Sequence, residues 1–321
     1  MSTVSRVLNP ETRHLISETV VDQVLRTARQ LNFSPNRNTA TLHTGRSCII
    51  GVVLPDLANP VFPPILRGIE DELAKKGGVP LIANAEGGKE RQLFVIDQIA
   101  ERQVDGLILA TSGRNDPILE HCLEMGIPVV VVNRSEYSGR ASCVISDSQL
   151  AMLQAVTHLA KLGHTCIAHV AGPGDLSTGY ERRRGFLEAI REKGLTIAQC
   201  PVFESKAFSR DEGRVSCDML LELHPGITSI VAASDMLALG CYDSIRVRGL
   251  RCPQDISVVG HNDIPLMDSV APPMTTVRIP LYEMGVRAAI LMLENLDAST
   301  TAHVNVVLRP ELVVRESTIA R

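Results

Sequence analysis

Asp147 directly follows the apolar run Val144-Ile145-Ser146, and Arg182 stands near the start of a later amphipathic segment. A carboxylate can accept two hydrogen bonds from vicinal hydroxyls, and a guanidinium offers a planar fork of donors. Three other apolar runs end at residues of the same kind of use: Val61 and Phe62 after the first, Ser234 after Ile230–Ala233, and Asn262 after Val258–His261. Together these suit the holding of a small hydroxylated molecule rather than bond-making chemistry. Each has a plainer reading beside it. Phe62 could be core packing, Arg182 an ion pair with Glu181, and Asp147 a helix N-cap, a role that coexists with ligand contact. Signatures of catalysis are missing. There is no G-x-x-x-x-G-K loop, no H-E-x-x-H and no G-x-S-x-G. Gly172-Pro173-Gly174 lacks the third glycine and downstream acid of a dinucleotide site. His164 and His169 have no third ligand at zinc spacing. No enzyme, cofactor or metal is expected.

The elements that would position these residues repeat along the chain. Short β-rich runs read Cys48–Leu54, Pro80–Asn84, Gly106–Ala110, Pro128–Asn133 and Cys143–Ser146, then Cys166–Ala171, Cys200–Phe203, Ser229–Ala233 and Ile256–Gly260. Helical segments such as Pro64–Lys76, Lys89–Gln103, Ser148–Leu162 and Tyr180–Lys193 lie between them. Near-continuous apolar strands alternating with amphipathic helices imply parallel sheets covered on both faces. Two successive series imply two lobes, as 321 residues also suggest. Open parallel sheets bind ligands beyond their strand C-termini. With 3% aromatic residues and no Trp, the core must be aliphatic.

Residues 1–46 differ from the rest. They hold six arginines against three acids, a net +3, although the whole chain carries −4. A basic end on an acidic body suits a polyanion-binding segment. Ser17 can cap a helix running to Leu31, with Val21, Val24, Leu25, Ala28 and Leu31 as one apolar stripe. Arg37–His43 could form a further short helix. The eight cysteines form no C-x-x-C pair and read as reduced thiols of a cytoplasmic protein. No signal peptide and no membrane-length apolar stretch is present.

In order along the chain, the sequence resembles the lactose-repressor (LacI/GalR) family of transcriptional regulators. Thr3-Val4-Ser5-Arg6-Val7-Leu8-Asn9 resembles that family's recognition helix, and Phe33-Ser34-Pro35-Asn36 with Leu42, Gly45, Arg46 and Ser47 its hinge. Ile50–Asp56 with Asn59-Pro60-Val61-Phe62 resembles its first strand and loop. Further matches are Val104–Ile108, Gly126–Val130, His158-Leu159 with Leu162-Gly163-His164, and Arg182 with Gly185-Phe186. Ala238-Leu239-Gly240, Asp255–Gly260 and Pro272–Val277 complete the series. The resemblance implies an α/β fold: a two-lobed, periplasmic-binding-protein-like body behind a partial helical DNA-binding head. The head and hinge would be 1–46. Lobe 1 would be about 47–162 plus 278–309, and lobe 2 about 163–277 plus 310–321. It implies a homodimer on palindromic double-stranded operator DNA, controlled by a sugar-like effector between the lobes. By register, Met1, Ser2 and Arg6 would face bases, and Thr3, Ser5 and Asn9 phosphates. Asn36 and Arg37 would serve the hinge, and Leu42 would wedge into the minor groove. The effector set would be Val61, Phe62, Asp147, Arg182, Phe208, Ser234 and Asn262, with Phe208 at the family's stacking position.

The sequence departs from the family in three places. The family's first helix and turn precede Thr3 and are absent here, so either the true start lies upstream or the chain binds operator weakly. Thr39-Ala40 replaces the usual Ala-Arg of the hinge. Asn262 and Ser234 stand where the family usually carries Asp and Asn, which leaves room for a sugar acid or phosphate. The runner-up reading is a sugar-binding protein without DNA function.

Overall fold

The computed structural model describes residues 3–8, 12–31, 46–111, 117–297 and 302–321. The chain divides into two compact units, residues 1–47 and 48–321. The first unit holds α1 (Thr3–Leu8), a short 3-10 turn at Arg13–Leu15, and α2 (Glu18–Gln30). Ser17 occupies the N-cap of α2, as its residue type favours, although its side chain makes no capping bond. Thr12 Oγ1 donates to Arg6 O at 3.0 Å and Arg13 Nε to Val7 O at 2.8 Å, which satisfies two of the C-terminal carbonyls of α1. Val7 is buried; the apolar stripe of α2 is half-buried through Ala28, and Leu31 is exposed.

The second unit begins with β1 (Ile49–Leu54), α3 (Phe62–Ala74), β2 (Val79–Asn84), α4 (Lys89–Ala100), β3 (Gly106–Leu109), α5 (Pro117–Glu124), β4 (Val129–Val132) and β5 (Ser142–Ser146). It continues through α6 (Ser148–Lys161), β6 (Ile167–Ala171), α7 (Ser177–Glu192), β7 (Val202–Glu204), α8 (Arg210–Leu223), β8 (Ser229–Ala232) and α9 (Asp235–Val247). It ends with β9 (Ser257–Asn262), β10 (Thr275–Arg278), α10 (Leu281–Asp297), β11 (Asn305–Leu308) and β12 (Glu311–Val313). Two six-stranded sheets result, in the orders β11-β5-β4-β3-β1-β2 and β12-β10-β9-β8-β6-β7. Among the described residues every pairing is parallel except β10 with β12. The central strands β3, β4, β6, β8 and β9 are buried at every residue, which is why they read as near-continuous apolar runs.

The chain crosses between the sheets at three points. The first crossing falls at Asp147, earlier than the expected boundary near 162. Met152, Ala155, Val156 and Leu159 of α6 pack with Ile167, Phe186, Val231 and Val259, so α6 covers the second sheet, not the first. The helix pattern was legible, but which sheet its apolar face meets depends on side chains far along the chain. The return crossings follow β10 and β11, so α10 covers the first sheet and β12 completes the second. Strands β10, β11 and β12 were not among the expected ones. In β10 the polar Thr276 is buried because its Oγ1 donates to Asp235 Oδ1 at 2.6 Å, a partner forty-one residues away. α10 and α3 pack closely through facing glycines: a Cβ on Gly285 would lie 2.0 Å from Ile65 O, and one on Gly68 2.1 Å from Tyr282 O.

Candidate functional site

The ends of the strands of both sheets meet around a cavity of about 50 Å³. From the first lobe it receives Val61 and Phe62, which start α3. Asn59 Oδ1 accepts from Val61 N at 3.1 Å, and Pro63 and Pro64 sit where a helix needs no amide donor. Phe62 is 2% exposed and belongs to the core as well as to the cavity wall, so its plain and ligand-facing readings coexist.

From the second lobe come Arg182, Phe208, Ser234 and Asn262. Arg182 lies in the second turn of α7 and is 5% exposed. Its Nη1 donates to Ala233 O at 2.6 Å and its Nη2 to Asn262 Oδ1 at 3.5 Å. The expected alternative, a pair with Glu181, is not what these contacts describe: Glu181 Oε1 accepts from Tyr137 Oη at 2.8 Å. Burial, and then the charge of Arg134, push the Arg182 guanidinium down to about 9, with Asp235 opposing; it is still protonated at neutral pH. The Phe208 ring centroid stands 5.7 Å from Arg182 Cζ. Room for that ring is made by Gly172, where a Cβ would fall 2.3 Å from the ring atoms. Ser234 is the N-cap of α9, its Oγ accepting from Leu237 N at 3.2 Å. Asn262 ends β9 with φ 114°, a conformation Asn tolerates better than most side chains. The loop after it is pinned to α9: Ile264 N donates to Asp235 Oδ2 at 2.8 Å. Desolvation raises the Asp235 carboxyl to about 6.

Asp147 is not in this cavity. It lines a neighbouring one of about 430 Å³, with Ser135, Glu136, Tyr137, Ser146, Glu181 and Asn305. Asn133, Thr178 and Arg182 line both spaces. Asp147 caps α6, accepting from Leu150 N at 2.9 Å. Six of the seven expected effector residues therefore share one wall, and the seventh faces the adjoining space. Arg134, Asn133, Asn59 and Thr178 were missed. The signal for the first pair was available: Asn133-Arg134 directly follows β4, as Ser234 and Asn262 follow or end their strands.

His164 is tied to Thr228 Oγ1 at 2.9 Å and Ile319 O at 3.0 Å. His169 is buried, bonded to Val231 O at 2.8 Å and stacked on Phe186 with centroids 4.7 Å apart. Desolvation takes it to about 4. In the first unit, Thr3 and Arg6 are exposed on α1, and Ser5 lies on the same helix. Ser2, Asn9, Asn36, Arg37 and Leu42 fall outside the described residues.

Comparison with known proteins fits this architecture. Residues 156–318 match a family model described as a periplasmic binding protein-like domain. The chain is 30% identical to the ribose operon repressor of Halalkalibacterium halodurans over 99% of its own length and 93% of that protein's. Among solved structures, it resembles the transcriptional regulator CelR in complex with cellobiose (TM-score 0.79, 30% identity, 98% of this chain and 95% of that one). It also resembles the lac repressor dimer bound to operator (TM-score 0.88, 26% identity, 99% and 95%).

Proposed function

Because the chain belongs to the lactose-repressor family of transcriptional regulators, we propose that it holds a small hydroxylated metabolite between its two lobes and that occupancy sets its affinity for operator DNA. The observation that carries this reading is the shared wall on which Val61 and Phe62 of one lobe meet Arg182, Phe208, Ser234 and Asn262 of the other. A ligand in contact with both lobes stabilises whichever lobe arrangement places those residues together. If that arrangement binds DNA with a different affinity, ligand and DNA are coupled, and the coupling is reciprocal. The cellobiose carried by CelR, and the ribose carried by a regulator of the same family from Enterococcus faecium, favour a sugar-like ligand here.

The head supplies the DNA contacts in this reading. Exposed Arg6 on α1 donates two hydrogen bonds to guanine in the major groove, and Thr3 and Ser5 reach phosphates. In the same reading Asn36, Arg37 and Leu42 complete the hinge contacts, Ser2 adds a base contact and Asn9 a phosphate contact. A palindromic operator calls for a two-fold symmetric homodimer. Edge strand β2 and neighbouring α4 carry exposed apolar side chains suited to such a face: Val79, Ile82 and Phe94. The site of action is the cytoplasm, where the DNA lies. Among the described residues no helix is long and apolar enough to cross a membrane.

The test is fluorescence anisotropy with a palindromic duplex from the gene's own promoter region, across a salt series, with and without a ligand identified by calorimetry. The expected outcome is a ligand-dependent change in specific affinity, and a loss of roughly 1–3 kcal/mol of base discrimination in Arg6→Ala. A ligand that binds between the lobes and leaves operator affinity unchanged at every salt concentration overturns the regulatory reading.

A further inference from the structure

The small cavity has a charge pattern that narrows the ligand class, and the narrowing rests on the effector reading above. Among the described residues no acid lines it. Its charged residues are Arg134, 6% exposed, and Arg182, 5% exposed, and the remaining polar atoms come from neutral side chains such as Asn59, Asn133 and Asn262. Among the described residues Arg182 meets a carbonyl and an amide, not a carboxylate, and its buried Nε has no hydrogen-bond partner. Asp235, whose charge acts on Arg182, is turned toward Thr276 Oγ1 and Ile264 N. Three helices also begin at this wall: α3 at Phe62, α7 just before Thr178, and α9 just after Ser234. Helix N-termini add partial positive charge to the same space. Arg182 is thus a buried cation that no described carboxylate hydrogen-bonds, which is costly to keep charged, and a ligand anion would remove that cost.

We propose that the effector is a hydroxylated compound carrying one anionic group, a carboxylate or a phosphate, seated between Arg134 and Arg182. The cavity of about 50 Å³, against the roughly 10–15 Å³ one water requires, takes such a group and little more. The hydroxyl-bearing body extends past Asn133 and Thr178 into the space of about 430 Å³, a size usual for small-molecule sites. That larger space holds Glu136, Asp147 and Glu181. Glu136 is paired there with Arg140, while the carboxylates of Asp147 and Glu181 can accept from hydroxyls and disfavour an anion beside them, which orients the ligand with its charged end toward Arg134 and Arg182.

The experiment uses the full chain in phosphate-free buffer and two matched series: D-glucose, D-gluconate and D-glucose 6-phosphate, and D-ribose, D-ribonate and D-ribose 5-phosphate. Thermal unfolding finds the binders and calorimetry measures them. A charged member is expected to bind at least about tenfold more tightly than its neutral parent, and the carboxylate and phosphate arms tell the two sources apart. Asn262→Asp places a carboxylate opposite Arg182 Nη2; it should weaken the anion by roughly ten- to a hundredfold and spare the neutral parent. Arg182→Gln should abolish the preference, and Asn262→Asp keeps the test open where that variant does not fold. A neutral parent that binds as tightly as its acid and phosphate, and is lost in Phe62→Ala, overturns the anion seat while the inter-lobe site stands. A charged ligand indifferent to Arg182→Gln, Asn262→Asp and Phe62→Ala overturns the site itself. Panels in which charging the ligand never raises affinity, including panels where nothing binds, overturn the proposal.

Discussion

Replacing Arg182 by Met separates a residue kept for a ligand from one kept for stability. The guanidinium is buried, and desolvation, then the charge of Arg134, push its pKa down to about 9. That displacement corresponds to about 5 kcal/mol working against the charged state. Opposing it are the bond to Ala233 O at 2.6 Å and the longer one to Asn262 Oδ1 at 3.5 Å. Bonds to charged groups are worth about 1.5–3 kcal/mol each, less at the long distance. The two sides nearly cancel, and exchange of buried ions for apolar side chains is often neutral or stabilising by about 1–4 kcal/mol. Arg182→Met without ligand should therefore unfold in urea within about 2 kcal/mol of wild type, or later, with an unchanged m-value. Affinity for the ligand that stabilises wild type should fall at least about tenfold in the same samples. A ligand-free variant destabilised by more than about 3 kcal/mol, with affinity retained, would refute the reasoning, because Arg182 would then be a structural tie between α7 and Ala233.

Three further outcomes follow from the same geometry. Asp147→Ala should cost about 1 kcal/mol of stability through loss of the α6 cap, whereas Asp147→Ser keeps the cap; ligand affinity should drop in both, read by urea unfolding and calorimetry. Gly285→Ala should destabilise by more than about 3 kcal/mol, because its Cβ meets Ile65 O at 2.0 Å, while Gly226→Ala, which meets nothing within 4 Å, should change the urea midpoint little. Acid should destabilise the protein from about pH 6.5 downward. His169 and His261 are desolvated, with folded-state values at about 4 and well below the usual one, so the unfolded chain takes up protons first and stability is lost as pH falls. Each contributes up to about 1.4 kcal/mol per pH unit; Asp235, raised to about 6, protonates first in the folded state and offsets part of this. Urea midpoints from pH 7.5 to 4.5 test it, and a midpoint that holds or rises on acidification contradicts the assignment.

Much of the fold was legible because it depends on local pattern. The runs around β1, β3, β4, β6, β8 and β9 are apolar at nearly every residue because both faces of those strands are covered. Helices α6 and α7 carry the 3.6-residue stripe, although α7 begins three residues earlier than expected. The rule that ligands sit beyond strand ends points to Val61, Phe62, Ser234 and Asn262, and the family register to Arg182 and Phe208, and these six line one cavity. Strands β10 to β12 stayed hidden because Thr275, Thr276 and Asn305 carry no apolar alternation. Ser317 Oγ accepts from Thr275 N at 2.8 Å, and Asp235 accepts from Thr276 Oγ1; neither partner is near in sequence.

What the sequence determined by itself is therefore the class of architecture, the family, and the residue types available at each strand end, since period, composition and motif order are properties of short windows. What the tertiary structure decided is which of those residues share a space. Asp147 follows its strand as Asn262 ends its own, yet the turn into α6 directs it to the larger cavity, away from Phe62 and Phe208. Arg134 was passed over in the sequence, yet the register of β4 beside β3 brings it to the same wall as Arg182. The charge sign of that wall is a sum over side chains contributed by both lobes, and long-range packing alone determines which charges enter the sum.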